Sequence, residues 1–471
     1  MNHTELWRLS AIELADRIRR KDVSALEATD SVLARIDACN PAVNALTEVM
    51  HDSARAAARE ADAAHARGEA LGPLHGVPVT IKINVDVAGS AGSGGIVALK
   101  QLVPEADAPL VSNLRRAGGI VVGRSNTPSF SLRWFTDNEA HGRTLNPWNP
   151  AVTPGGSSGG AAAAAALGMG PIAHGNDYGG SIRHPAWACG VVGLRPTAGR
   201  VPAFNATAKD DRIVTNQLMS VQGPLTRRVA DARVAFEVMA QGDPRDPLWV
   251  PAPFAYPDSA RPVRVALFKQ HAGIKADASV VRALEQAAQW LADAGYQVEE
   301  AVPPHFDEAA RLWRAMLNDD LRRGGGPAIE AMGDAAVRNA FRFQLGDLEP
   351  MDRDAYLSAF QRRLTIARAW SLFLADYPVL LMPVSWERQF SIDDDQRSQS
   401  RYEEMLIAQA PLLGTAALGL PGLSVPTGLV DGLPTGVQIV STRYREDLAL
   451  AAGEVIERAA GFSVLAHLAP R

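Results

Sequence analysis

Over about residues 1–70 the apolar positions recur with helical spacing. Ser10 with Glu13 and Ser24 with Glu27 each form a Ser-x-x-Glu box ahead of such a run, a pairing that satisfies the first free amides of a helix. The alanine-rich stretch from His51 predicts a third helix, ending at Gly68. From Gly76 to Val87, in GVPVTIKINVDV, the period drops to two and β-branched residues dominate, which predicts a strand. Helix and strand signals then alternate, with LVSNLRRAGG before IVVGRSN and a Gly-Ser-Ala region before GPIAHG. That order predicts an α/β architecture.

The rhythm resumes near Pro262 with PVRVALF and a helix that places Val281, Leu284, Ala288 and Leu291 on one face before Gly295. About residues 304–376 read as a helical excursion over the core. The run LPGLSVPTGLVDGLPTGVQIV predicts a hairpin turning at Asp431-Gly432, followed by a helix from about Asp447 to Ala460. No repeat and no low-complexity linker interrupts the chain, so residues 1–471 are expected to form a single domain.

Composition narrows the function. The formal charge of −5 offers no basic field, so a nucleic-acid partner is not expected. The N-terminus lacks the order of a signal peptide and the apolar runs are too short to span a bilayer, so a cytoplasmic protein without membrane contact is expected. Cys39 and Cys189, the only cysteines, fit neither a disulfide framework nor a four-cysteine zinc site.

The densest chemistry lies in TPGGSSGGAAAAAALGMGPIAHGNDYGGSIRHPAWACG. A phosphate loop would need a lysine after the glycines, and GGSSGGAAAAAA has none. A flexible linker would not run into six alanines and a strand. In NDYGGS, the amides of Tyr178, Gly179 and Gly180 running into Ser181 can converge on one point, beside a hydroxyl. Acyl transfer needs that arrangement, because negative charge develops on the attacked carbonyl oxygen. Ser181 is thus the candidate nucleophile. Its base is either a histidine, with His141, His174 and His184 nearby, or a lysine upstream. The flanks of Ser181 do not match the Gly-x-Ser-x-Gly elbow of histidine-dependent hydrolases. Lys82, inside the apolar VPVTIKINVDV, reads on its own as a lysine on a solvated face.

Taken together, GVPVTIKINVDVAG, TLNPWNPAVTPGGSSGG, GNDYGGSIRHPAWACGVVGLRPTAGRVP, QGPLTRRVADA and GLPGLSVPTGLVDGLPTGVQIV resemble, in order and over most of the chain, the blocks of the amidase signature family of serine hydrolases. The resemblance implies a central twisted mixed sheet covered on both faces by helices, and a Ser-Ser-Lys triad. The lysine falls on Lys82, the bridging serine on Ser157 after an expected cis bond from Gly156, and the nucleophile on Ser181. Tyr178, Gly179, Gly180 and Ser181 fall on the oxyanion hole, and Asp177 and Arg183 on a pair bracing its loop. Ile83 and Asn176 depart from the Asp and Thr common at their positions, and VDVAGSAGSGGIVAL lacks the threonine-rich form of relatives. Cys189 reads as packing.

The implied activity is hydrolysis of a linear carboxamide to an acid plus ammonia or amine through an acyl-enzyme. A free lysine of pKa about 10.4 is only about 0.04 % neutral at pH 7, so the mechanism requires Lys82 to be buried. No metal or organic cofactor is expected. The partner is a small-molecule amide, and a homodimer is left open. Trp134, Phe135, Trp187, Trp313 and Met316 are candidates to line the acyl pocket. Alternatives in the same chemistry are an esterase or carbamate hydrolase, or a component of an amidotransferase complex.

Overall fold

The computed structural model describes residues 3–257 and 262–468, so the expected 1–471 span includes residues 1, 2, 258–261 and 469–471, which lie outside the described residues. Its strands are β1 (Leu46–Val49), β2 (Pro78–Lys82), β3 (Ile120–Ser125), β4 (Ile172–Asp177), β5 (Val192–Arg195), β6 (Val221–Thr226), β7 (Arg264–Leu267), β8 (Gln297–Glu300), β9 (Val379–Met382), β10 (Gly422–Val430) and β11 (Leu433–Ser441). They join in one eleven-stranded sheet of order β1-β3-β2-β4-β6-β5-β10-β11-β9-β7-β8. The pairs β2–β3, β2–β4, β7–β8 and β7–β9 are parallel, whereas β4–β6, β5–β6, β5–β10 and β10–β11 are antiparallel. The sheet is therefore mixed, as expected.

Both faces are covered. Within β9, Val379 and Leu381 enter one apolar core while Leu380 and Met382 enter another. Within β3, Val121 packs to one side and Ile120 and Val122 to the other. Alternate residues point to opposite faces of a strand, so near-continuous apolar runs are what a doubly covered sheet demands.

Both serine–glutamate boxes cap their helices, Ala11–Arg19 and Ala25–Val43. Residues 1–70 are not wholly helical, however: β1 intervenes and pairs antiparallel with β3. The strand expected from Gly76 to Val87 ends at Lys82. Ile83 still donates to the Ser125 carbonyl of β3 at 3.0 Å, but further on the backbone bonds out of the sheet, the Asp86 amide donating to Asn205 Oδ1 at 3.1 Å. In the helix Ala278–Asp293 the buried face runs through Val280, Ala283, Leu284, Ala287, Ala288 and Leu291, so Val280 rather than Val281 enters the core.

The helical excursion comprises Phe306–Asp320, a π-helical turn Leu321–Gly325, Gly326–Met332, Ala335–Leu345 and Arg353–Asp376. The closing hairpin turns at Asp431 and Gly432, both with positive φ. Among the described residues, no helix is long and apolar enough to cross a membrane.

Candidate active site

Lys82 is the last residue of β2 and Asp177 the last of β4. The two strands are parallel neighbours, with Val79 opposite Ile172 and Thr80 opposite Ala173, so both ends open on the same edge of the sheet. Crevices of this kind, at the carboxyl ends of parallel strands, are where α/β proteins bind ligands. The alanine helix, Gly159–Leu167, is buried along its whole length and presents Ser157 and Ser158 just before its first turn. Small residues are required there: a Cβ on Gly160 would lie 2.4 Å from the Asn126 amide nitrogen. The Gly156–Ser157 peptide bond is cis, as expected.

Lys82 is fully buried, so the solvated-face reading does not hold. Its Nζ lies 2.7 Å from Ser157 Oγ, 3.1 Å from Ser158 Oγ and 2.7 Å from Asn176 Oδ1. Burial pulls its pKa well down, against the partial opposition of the Asp177 charge. A neutral amine has two N–H groups and one lone pair, and the partners fix how they are used. Asn176 Oδ1 only accepts. Ser158 gives its own proton to the Asn176 carbonyl at 3.3 Å, so towards Lys82 it accepts as well. Ser157 is left as the hydroxyl that can donate to the lone pair.

Asn176 continues outward, donating from Nδ2 to Asn84 Oδ1 at 3.0 Å, and Asn84 Nδ2 donates to Ser131 Oγ at 3.0 Å. Asn176 thus holds the lysine by an uncharged acceptor. Ile83 is buried, so an apolar side chain suits its position.

Ser181 borders the same cavity as Ser157 and Asn176, a space of about 610 Å³. Backbone ties the two serine segments together, the Ser158 amide donating to the Ser181 carbonyl at 3.2 Å. Among the described residues the Ser181 hydroxyl makes no hydrogen bond, so none joins it to Ser157.

Asp177 anchors the loop between them. It accepts from the Gly180 amide at 2.8 Å, the Ile182 amide at 3.2 Å and Arg183 Nε and Nη2, each at 2.9 Å. Arg195 Nη1 joins it at 3.1 Å, and all three side chains are fully buried. Burial alone would raise the Asp177 pKa, but the guanidinium groups of Arg183 and Arg195 outweigh it and hold the carboxyl far below its ordinary range. The Gly180 amide is therefore taken up by this carboxylate, which removes it from the four expected oxyanion donors. Gly180 itself has φ +105°, a conformation that suits glycine.

The histidines are elsewhere engaged. His174 accepts the Lys82 backbone N–H on Nδ1 at 3.4 Å, which leaves Nε2 to donate to Gln222 Oε1 at 2.8 Å, and burial pulls its pKa down to about 3. His184 stacks on Trp187 with its pKa likewise pulled to about 3 by burial, and His141 pairs with Ser93. None borders a cavity with Ser181. Cys189 is buried in apolar packing, which raises its thiol pKa.

Of the expected pocket residues, Trp134 and Trp313 do line a narrow slot beside Ser181. Each also braces the loop, Trp134 Nε1 donating to the Gly179 carbonyl at 3.1 Å and Trp313 Nε1 to the Tyr178 carbonyl at 2.8 Å. Phe135, Trp187 and Met316 do not line it. Phe135 turns away from its neighbour Trp134 to stack on Phe390, Trp187 packs with Val384 and Leu412, and Met316 is fully buried in the helical core. The sequence reading also missed Ser158 and Arg195, and it weighed His174 as a base for Ser181 where the structure has it accept the Lys82 backbone N–H.

Comparison with known proteins bears on the family and the fold. The amidase family model matches residues 27–450. An indoleacetamide hydrolase of Bradyrhizobium diazoefficiens is 44% identical over 98% of this chain and 88% of its own. A glutamyl-tRNA(Gln) amidotransferase subunit from Heliobacterium modesticaldum is 32% identical over 97% of this chain and 98% of its own. Among solved structures, a bacterial aryl acylamidase of the amidase signature family superposes with a TM-score of 0.83 at 26% identity, covering 98% of this chain and 99% of that one. With its fold, its sequence blocks and a family model spanning most of its length in accord, this chain belongs to the amidase family of hydrolases.

Proposed function

We propose that the protein hydrolyses a linear carboxamide carrying an arylalkyl acyl group, through a Ser181 acyl-enzyme. The observation that carries this reading is the buried contact of 2.7 Å between Lys82 Nζ and Ser157 Oγ, at the edge of the cavity that Ser181 borders. The 44% identical indoleacetamide hydrolase supports the arylalkyl class.

Neutral Lys82 takes the Ser157 proton while Ser157 takes that of Ser181, and Ser181 Oγ attacks the amide carbon. The amides of Tyr178, Gly179 and Ser181 are assigned to the developing oxyanion, where one such donor is worth about 10²–10³ in rate. The C–N bond then breaks as the proton returns through Ser157 to the leaving nitrogen. Water, activated by the same pair, cleaves the ester to release the acid.

The test is turnover of phenylacetamide and indole-3-acetamide by the purified chain, with Ser181→Ala and Lys82→Met as controls. Both variants are expected to lose at least about 10³-fold in kcat. Intact-mass detection of an acyl adduct lost in Ser181→Ala identifies the nucleophile. Full activity in Ser181→Ala refutes the mechanism. Amide turnover only on adding partner proteins would favour an amidotransferase role, and faster turnover of the matched ester or carbamate would reassign the substrate class.

A further inference from the structure

Two chambers meet at Ser181. The wide cavity of about 610 Å³ has Ser157, Asn176, Gln222 and Asn216 in its wall. The other is a slot of about 40 Å³ walled by Trp134, Trp313, Leu317 and Phe341. Ser131, Leu132 and Tyr178 border both, and Tyr178 contributes the largest of these side chains.

The Tyr178 ring is held at both ends. Its own carbonyl accepts from Trp313 Nε1, and the two rings meet edge to face at 6.2 Å. At the far end its hydroxyl bonds Thr215 Oγ1. Thr215 gives its proton to Asp320 Oδ2 at 2.7 Å, so Tyr178 must be the donor to Thr215. Asp320, nearly buried, is fixed in turn by the Thr215 amide at 2.8 Å and by the Tyr356 hydroxyl. This chain of bonds ties the loop before Ser181 to three helices, Val214–Met219, Phe306–Asp320 and Arg353–Asp376.

We propose that the Tyr178 side chain determines specificity as the wall between an acyl slot and an amine cavity, pinned in place through Thr215 and Asp320. The inference rests on Ser181 being the nucleophile and Ser157 the proton donor. The leaving nitrogen must face Ser157, which borders the wide cavity and not the slot. The amine side of the substrate therefore lies in the wide cavity. The acyl substituent fills the aromatic slot, and the position of the Tyr178 ring limits its breadth.

The experiment compares kcat/KM for 2-naphthylacetamide and phenylacetamide, which differ only in acyl breadth. Tyr178→Ala should shift the ratio at least tenfold toward the naphthyl amide. Tyr178→Phe and Thr215→Val, which keep a ring but cut the pin, should shift it the same way by about three- to tenfold, within the range that small changes of apolar fit produce. Thr215→Ser, which keeps the hydroxyl, should restore the wild-type ratio.

A ratio within twofold of wild type in Tyr178→Ala overturns the proposal. So does an equal loss on both amides in every variant, as general loosening of the loop would give, or a Thr215→Ser that behaves like Thr215→Val. If Tyr178→Ala does not fold, the Tyr178→Phe and Thr215 variants decide. Wild-type protein inactive on both amides would remove the amidase reading and this inference together, whereas an active wild type with unchanged ratios removes this inference alone.

Discussion

Replacing Asp177 by Asn isolates the electrostatics of the loop. The two side chains have nearly the same volume, so no cavity forms, and Asn Oδ1 can still accept the Gly180 amide that now sits 2.8 Å from Asp177 Oδ1. What disappears is the negative charge between two fully buried guanidinium groups, Arg183 and Arg195. Leaving a buried charge without its partner typically costs about 3–5 kcal/mol. The Asn Nδ2 adds to the loss by pointing a donor at the donors of Arg183.

The assay is urea unfolding at pH 7, together with hydrogen exchange of the Gly180 and Ile182 amides, which reports local opening without assuming that this large chain unfolds in one step. Asp177→Asn is expected to be less stable by about 3–5 kcal/mol and to lose protection at both amides. The sign with pH follows from linkage. A carboxyl held below its ordinary pKa contributes stability that is present above the unfolded value, about 3.9, and is lost as pH falls toward the folded value. The gap between wild type and variant should therefore narrow by about 1.4 kcal/mol per pH unit below about pH 4. A variant within about 1 kcal/mol of wild type at pH 7, or a gap indifferent to acid, would refute the reasoning.

Asn176→Asp would set a carboxylate where Oδ1 now lies 2.7 Å from Lys82 Nζ, favouring the ammonium form. The acid limb of the kcat/KM profile should move to higher pH, with at least a tenfold loss at pH 7 that alkaline buffer recovers. The lowered pKa of Lys82 also makes the unfolded chain bind more protons than the folded one between the two pKa values, so stability gains with rising pH there. Lys82→Met should lack that rise, as urea midpoints at pH 7 and pH 9 would reveal. Gly179→Ala would place a Cβ 2.4 Å from Trp313 Cζ2. Overpacking of this kind costs about 1–3 kcal/mol, and since Trp313 holds the Tyr178 carbonyl, kcat should fall along with the melting temperature.

Much of the site was legible because it is written locally. The Ser-x-x-Glu boxes, the two-residue turn at Asp431-Gly432 and the glycines before Ser181 each answer a need met within a few residues, so a short window carries the signal. The partners of those elements were not legible. Nothing near Lys82 in the chain announces that Asn176 and Ser158 complete its shell, or that His174 takes its backbone amide, because those contacts span more than seventy residues. Phe135, Trp187 and Met316 were misplaced for a related reason: an aromatic or sulfur side chain suits a pocket and a core equally well, and only packing tells them apart.

By itself, then, the sequence determined the α/β alternation of most helices and strands, the tight glycine turns and the candidates for the reacting groups, all properties of short-range sterics and side-chain chemistry. The tertiary structure decided that Lys82 is buried, that Ser157 rather than Ser158 faces its lone pair, that the Gly180 amide is bonded to Asp177 and that Tyr178 borders two chambers. Each of those depends on desolvation and on hydrogen-bond geometry among groups far apart in the chain, and both exist only once the sheet has closed around them.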